Sequence, residues 1–175
     1  MAETQLSVTE WTVLGLLGEG PSHAFALARN LRPDGDLGRI LTVRQPLVYR
    51  AVDRLVASGL AAPSRVEPGD SGPRRTVYEI TPAGRRRLRR WLGAPVGHVR
   101  DMRLEFLLKL ALTERERLPV LPLIVGQEEA IAETLHALRV QADPQDDVDL
   151  WRLHNAAAVA SFLAALAARH RAAPP

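Results

Sequence analysis

A change of hydrophobic period past residue 60 constrains this chain more than any other feature. Thr76-Val77-Tyr78-Glu79-Ile80 alternates with period two, and Leu60 to Val66 reads as a short strand before it. Between them, Glu67-Pro68-Gly69-Asp70-Ser71-Gly72-Pro73 is dense in turn formers, so the pair predicts a β-hairpin with a long tip. Thr81 then offers an N-cap hydroxyl with Pro82 at the first helical position, where a missing N–H costs little. A helix follows to about Leu92, with Leu88, Trp91 and Leu92 as its apolar stripe.

Upstream the period is helical. Ser7-Val8-Thr9-Glu10 reads as a capping box, and Trp11, Leu14 and Leu17 carry a stripe to the stop at Gly20-Pro21. Ser22 is the expected cap of a second helix with Phe25, Ala28 and Leu31 on one face, broken by Pro33, Gly35 and Gly38. Thr42 is expected to open a third helix, in which Leu47, Val48, Ala51, Val52, Leu55 and Val56 keep the i, i+3, i+4 rhythm to Ser58-Gly59. Pro46 fits within that helix's first turn.

Three helices, a hairpin and a fourth helix within 92 residues form the layout of a winged helix-turn-helix, with the third helix as the reader of the DNA major groove. The expected fold class is therefore mainly α, an α+β winged helix over residues 1–92. Gly93 to Gly97 mark a boundary, and an all-helical domain is expected over 98–172. There, Asp101 starts a strongly apolar helix and Thr113-Glu114-Arg115-Glu116 reads as a capping box. Leu121, Ile124, Glu128, Ile131, Leu135 and Leu138 form a coiled-coil-like seam interrupted by one acid. A last, alanine-rich helix from about Asp147 to His170 carries Trp151, Val159, Phe162, Leu163 and Leu166. Trp151 and Phe162 read as core or dimer interface, or as a place where an aromatic effector stacks.

Charge divides along the same line. Residues 1–92 hold 14 Arg against 9 Asp and Glu, while 93–175 hold 9 basic against 11 acidic residues. A basic front half fits a polyanion. No cysteine is present, which excludes disulfides, thiol nucleophiles and Cys-based zinc sites. No continuous apolar run reaches the ~18 residues of a membrane span, and no signal-peptide pattern opens the chain, so a cytoplasmic location without membrane contact is expected. The histidines lack metal-ligand spacing and no nucleophile elbow or phosphate-cradling loop occurs, so the chain is not expected to be an enzyme and no cofactor or metal is expected.

The expected DNA-facing residues are Thr42, Arg44, Gln45, Tyr49, Arg50 and Arg54 around the third helix, and Arg74, Arg75 and Thr76 on the hairpin. Within the run Arg85 to Arg90 most side chains read as a solvated face, with Arg85 or Arg86 placed to reach phosphate. His23 reads as a cap or packing residue. "LGLLGEGPSHAFALARNL", "LVYRAVDRLVASGL" and "PRRTVYEITPAGRRRLRRWL" together resemble the PadR family of bacterial transcriptional regulators, over residues 6–92. "RLEFLLKLAL" is more loosely similar to that family's C-terminal dimerisation helices, and Gln45-Pro46 stand where the family more often has Gly-Thr. The resemblance implies a homodimer on a pseudo-palindromic double-stranded operator, usually a repressor relieved by a small molecule, here a small aromatic or hydrophobic effector. It places backbone and base contacts at Tyr49 and Arg50, and phosphate contacts at Arg74 and Arg75. The other class of function open to this sequence is a protein-interaction module docking an acidic partner on a winged-helix scaffold.

Overall fold

A computed structural model describes residues 5–68, 74–143 and 145–172. Its elements are α1 (Val8–Glu19), β1 (Ser22–His23), α2 (Ala24–Asn30), α3 (Gln45–Ala57), β2 (Ala61–Glu67), β3 (Arg75–Ile80), α4 (Pro82–Gly93), α5 (Leu107–Arg115), α6 (Leu121–Gln141) and α7 (Asp147–Ala172). This is the mainly helical winged-helix architecture expected from the change of period.

Local rules set the ends of the elements. Ser7 and Glu10 close the capping box: the Ser7 hydroxyl accepts from the Glu10 N–H at 3.3 Å, and the Glu10 carboxylate accepts from the Ser7 N–H at 2.6 Å. The Thr81 hydroxyl accepts from the Gly84 N–H and donates to the Gly59 carbonyl at 2.7 Å, fastening the start of α4 to the end of α3. Gly59 takes a φ of 69°, the left-handed conformation that lets the chain leave α3 and enter β2. A side chain at Gly84 would run into the Leu60 carbonyl, so α4 seats there because the residue is glycine.

The sheet has one strand more than the hairpin. β3 lies in the centre, antiparallel to β2 on one edge and to β1 on the other, where Ser22 faces Tyr78 and His23 faces Val77. Ser22 is thus spent on strand pairing, and the cap of α2 is His23, whose Nδ1 accepts from the Ala26 N–H at 3.0 Å. In α2 the buried residues are Ala24, Leu27 and Ala28; Phe25 is only half-buried.

Two apolar clusters meet on α5. The first gathers α1, α2, α3, Leu60, Leu88 and Leu92 and includes Leu112; the second gathers Val96, Met102, Phe106, Leu110, α6 and α7. Helical structure begins at Val99 as a 3-10 turn and passes through a π turn at Met102–Phe106 before α5 proper. The Thr113 capping box does not form: α5 runs through Arg115, and Thr113 is buried on its last turn, because burial of Leu112 holds the helix together there. In α6 the polar residue turned inward is Gln127, not Glu128; its side chain pairs with both the N–H and the carbonyl of Val96.

α6 and α7 form an antiparallel hairpin: Arg171 at the end of α7 pairs with Glu128 in the first half of α6, and His170 reaches Glu114 of α5. α7 is 26 residues long with a mean hydropathy of 1.2 over an 18-residue window. By length and composition it is long and apolar enough to cross a membrane, as a core helix of a soluble protein can also be. Its apolarity is largely alanine, interrupted by single polar residues, and four of its residues (Ala156, Leu163, Leu166 and Ala167) are buried.

Buried charge sits in the joint between the clusters. Lys109, only 2% exposed, donates to the Ala94 carbonyl at 2.8 Å, pairs with Glu105 at 3.2 Å and lies over the Trp91 ring. Burial pulls its pKa down against the opposing pull of Glu105. Glu116 packs its carboxylate against Gly18; one oxygen is 3.7 Å from Arg85 and the other has no hydrogen-bond partner. Burial raises its pKa, outweighing Arg85. A carboxyl with a raised folded-state pKa stabilises fully below its unfolded pKa, and that stability is lost as pH rises through the folded value. Glu116→Gln is therefore expected to raise the melting temperature at pH 7, by a margin that shrinks as pH falls through the carboxyl range in circular-dichroism melts. A variant less stable than the parent at pH 7 would mean that the Arg85 pair outweighs burial.

Candidate nucleic-acid interface

α3 is built to show one side. Val48, Ala51, Val52 and Leu55 bury at helical spacing, which leaves Gln45, Leu47, Tyr49, Arg50, Asp53 and Arg54 exposed. Its N-cap is Arg44, which makes no side-chain cap bond, so the positive end of the helix opens outward among Arg44 and Gln45. Thr42 does not open the helix. Its hydroxyl donates to the Gly38 carbonyl at 3.0 Å and closes the preceding loop. Pro46 explains the difference: it has no N–H to give and is accommodated in the first turn, which fixes the start at Gln45 rather than one turn earlier.

The wing meets α3 across a cleft of about 450 Å³ lined by His23, Phe25, Tyr49, Asp53, Arg74, Arg75, Thr76 and Tyr78 among others. Four sequence-predicted residues therefore converge there: Tyr49 from α3, and Arg74, Arg75 and Thr76 from the wing. Most of the predicted turn, residues 69–73, lies outside the described residues. Phe25 was legible only as a helical apolar residue, yet it carries the Arg75 guanidinium 5.2 Å above its ring. The pairing of β1 with β3 puts it there, and no sequence pattern announced a two-residue strand. Nearby, Arg65 and Glu67 pair at 2.7 Å on β2.

Arg44, Gln45 and Arg50 stay exposed on the first turns of α3 and do not line that cleft. Arg54 follows Arg50 one turn further on; it too is exposed, and its guanidinium pairs with Glu10 of α1 at 3.3 Å. Burial favours the neutral form of Glu10, but bonds from Ser7 and Arg54 outweigh it and hold its pKa below the ordinary value. Arg85 turns partly inward, donating to the Gly18 carbonyl at 3.2 Å and facing Glu116. Among the described residues no group of three His, Asp or Glu side chains could hold a metal ion.

Residues 13–90 match the model of the transcriptional regulator PadR-like family. This stretch is similar to the PadR-like family. It runs from the middle of α1 to near the end of α4, so the exposed face of α3 and the wing both lie inside it. Among solved structures, Bacillus subtilis PadR in complex with operator DNA is 18% identical (90% of this chain, 97% of that one, TM-score 0.47), and the same protein in complex with p-coumaric acid is also 18% identical (94% and 99%, TM-score 0.46). The protein smu.1604c of Streptococcus mutans UA159 is 16% identical (91% and 98%, TM-score 0.44). No curated protein sequence matches this one.

The cleft depends on the His23 cap, since α2 and Phe25 start from it. His23→Ala is expected to lower stability by about 0.5–2 kcal/mol in urea unfolding, with His23→Asn recovering most of the loss. Equal loss in both variants would show that ring packing, not the cap, is what His23 supplies.

Proposed function

We propose that the chain is a sequence-specific DNA-binding transcriptional regulator, acting as a homodimeric repressor that a small aromatic or hydrophobic molecule releases. The observation that carries this reading is the convergence of Tyr49 on the exposed face of α3 with the wing arginines Arg74 and Arg75, within a stretch similar to the PadR-like family. Arg74, Arg75 and Tyr49 take phosphates, with Thr76 beside them; Arg44, Gln45 and Arg50 take base edges, and Thr42 supports the loop that leads in. Two protomers set their α3 helices about 34–36 Å apart, one turn of DNA, on a pseudo-palindromic site.

Pairing of protomers is supported by the uncovered apolar side chains of the helical half, among them Val148, Trp151 (62% exposed) and Phe162. Effector binding is supported by a cleft of about 410 Å³ where Trp151, Val148, Leu138 and the segment Gly97–Arg100 meet; Phe162 does not line it. An effector there acts by changing the angle between winged helices, biasing a two-state dimer.

Arg75→Ala is expected to weaken binding to every duplex and to reduce the slope of log K against log salt by about 0.9 for each phosphate that the wing no longer neutralises, read by fluorescence anisotropy. An unchanged slope removes the wing assignment. Joint replacement of Trp151 and Phe162 by Asp is expected to give a monomer in sedimentation; a persisting dimer places the interface elsewhere.

A further inference from the structure

Leu47 occupies the third position of α3, and 47% of its surface is exposed. It belongs to neither apolar cluster, and it does not line the cleft between α3 and the wing. Leaving such a side chain in water forgoes the favourable free energy of burying it. Behind the exposed ring of Pro46 lie Arg44 and Gln45, and Arg50 follows one turn on along the same flank. A leucine set among hydrogen-bonding groups at the open end of a recognition helix has no hydrogen bond of its own to offer. What it can meet is apolar. In the DNA major groove the apolar mark on a base pair is the C5-methyl group of thymine.

We propose that Leu47 is a specificity-determining residue that packs its isobutyl end on a thymine C5-methyl, once in each half-site. This rests on the reading of α3 as the major-groove helix, where the first-turn residues are the ones that reach base edges. Gln45 and Arg50 flank it with groups suited to adenine and guanine, so Leu47 adds a thymine contact that neither of them supplies. The backbone supports the placement: the Leu47 N–H is already bonded to the Arg44 carbonyl at 2.9 Å, which fixes the residue in a closed first turn. Helical spacing from the buried Val48, Ala51 and Leu55 then turns its side chain away from the core.

The test uses the full-length protein and duplexes enriched by it from a random pool. Each thymine of the enriched site is replaced in turn by deoxyuridine, which removes the methyl group and leaves base pairing intact. The parent protein is expected to lose about fourfold in affinity per half-site at one symmetric position, the transfer of roughly one methyl group from apolar surroundings to water. The Leu47→Ala protein is expected to show no loss at that position. Placing 5-methylcytosine in a cytosine variant of that position is expected to recover binding by the parent alone. The proposal is overturned if both proteins respond alike to every deoxyuridine, or if Leu47→Ala changes the sedimentation of the free protein, which would put Leu47 in a protein interface. If no duplex is enriched, the DNA-binding reading itself fails, which is a different result from an enriched site indifferent to the methyl group.

Discussion

The register of β3 is the constraint on which the rest of the winged helix depends. Val77 is the buried residue of that strand, and a slip of one position would turn it to solvent. One edge of β3 holds His23 opposite Val77 and the other holds Arg65 opposite the same residue. Because α2 starts at Ala24, this pairing also fixes where Phe25 lies, and so where Arg75 rests. The wing is therefore positioned by the same strand that positions the helix beneath it. α3 is joined to this frame at its far end, through Leu60, Gly59 and Thr81.

A second set of interactions couples the winged helix to the helical half. The Trp11 and Trp91 rings stack with centroids 4.8 Å apart, and Trp91 donates to Glu105, which in turn pairs with Lys109. Lys109 holds the Ala94 carbonyl and Gln127 holds Val96, so the connecting segment is pinned by buried polar side chains on two sides. Arg115 adds bonds to Glu19, Asp36 and Asn30 across the same joint. Such a joint is stiff while every partner is satisfied. Under the proposed function, a rearrangement of α6 and α7 reaches α3 through these few groups.

How much of this was legible depended on how local each cause was. The capping box at Ser7 and the Thr81-Pro82 start were readable because a hydroxyl, a proline and their neighbours decide them within four residues. The start of α3 was misplaced at Thr42 because a capping hydroxyl and a first-turn proline gave competing signals, and the proline governs. Thr113-Glu114-Arg115-Glu116 carries the same letters as a true capping box, but Leu112 is buried with α1 and the helix continues through it. β1 could not be read from two residues, since its only reason is a partner more than fifty positions away. For the same reason Ser22 looked like a cap and Phe25 like core. Within the candidate interface, residue type marked the basic positions on α3 and the wing. It did not show that Arg54, exposed like Arg50, also pairs with Glu10 of α1.

The central claim is that α3 and the wing together read double-stranded DNA. The most direct measurement is selection of bound duplexes from a random pool by the full-length protein at moderate salt, followed by sequencing. An enriched pseudo-palindrome is expected, with half-sites centred about 10 base pairs apart, the spacing of two recognition helices on one turn of DNA. Retention of duplexes without any enriched sequence, or no retention even at low salt, would contradict it.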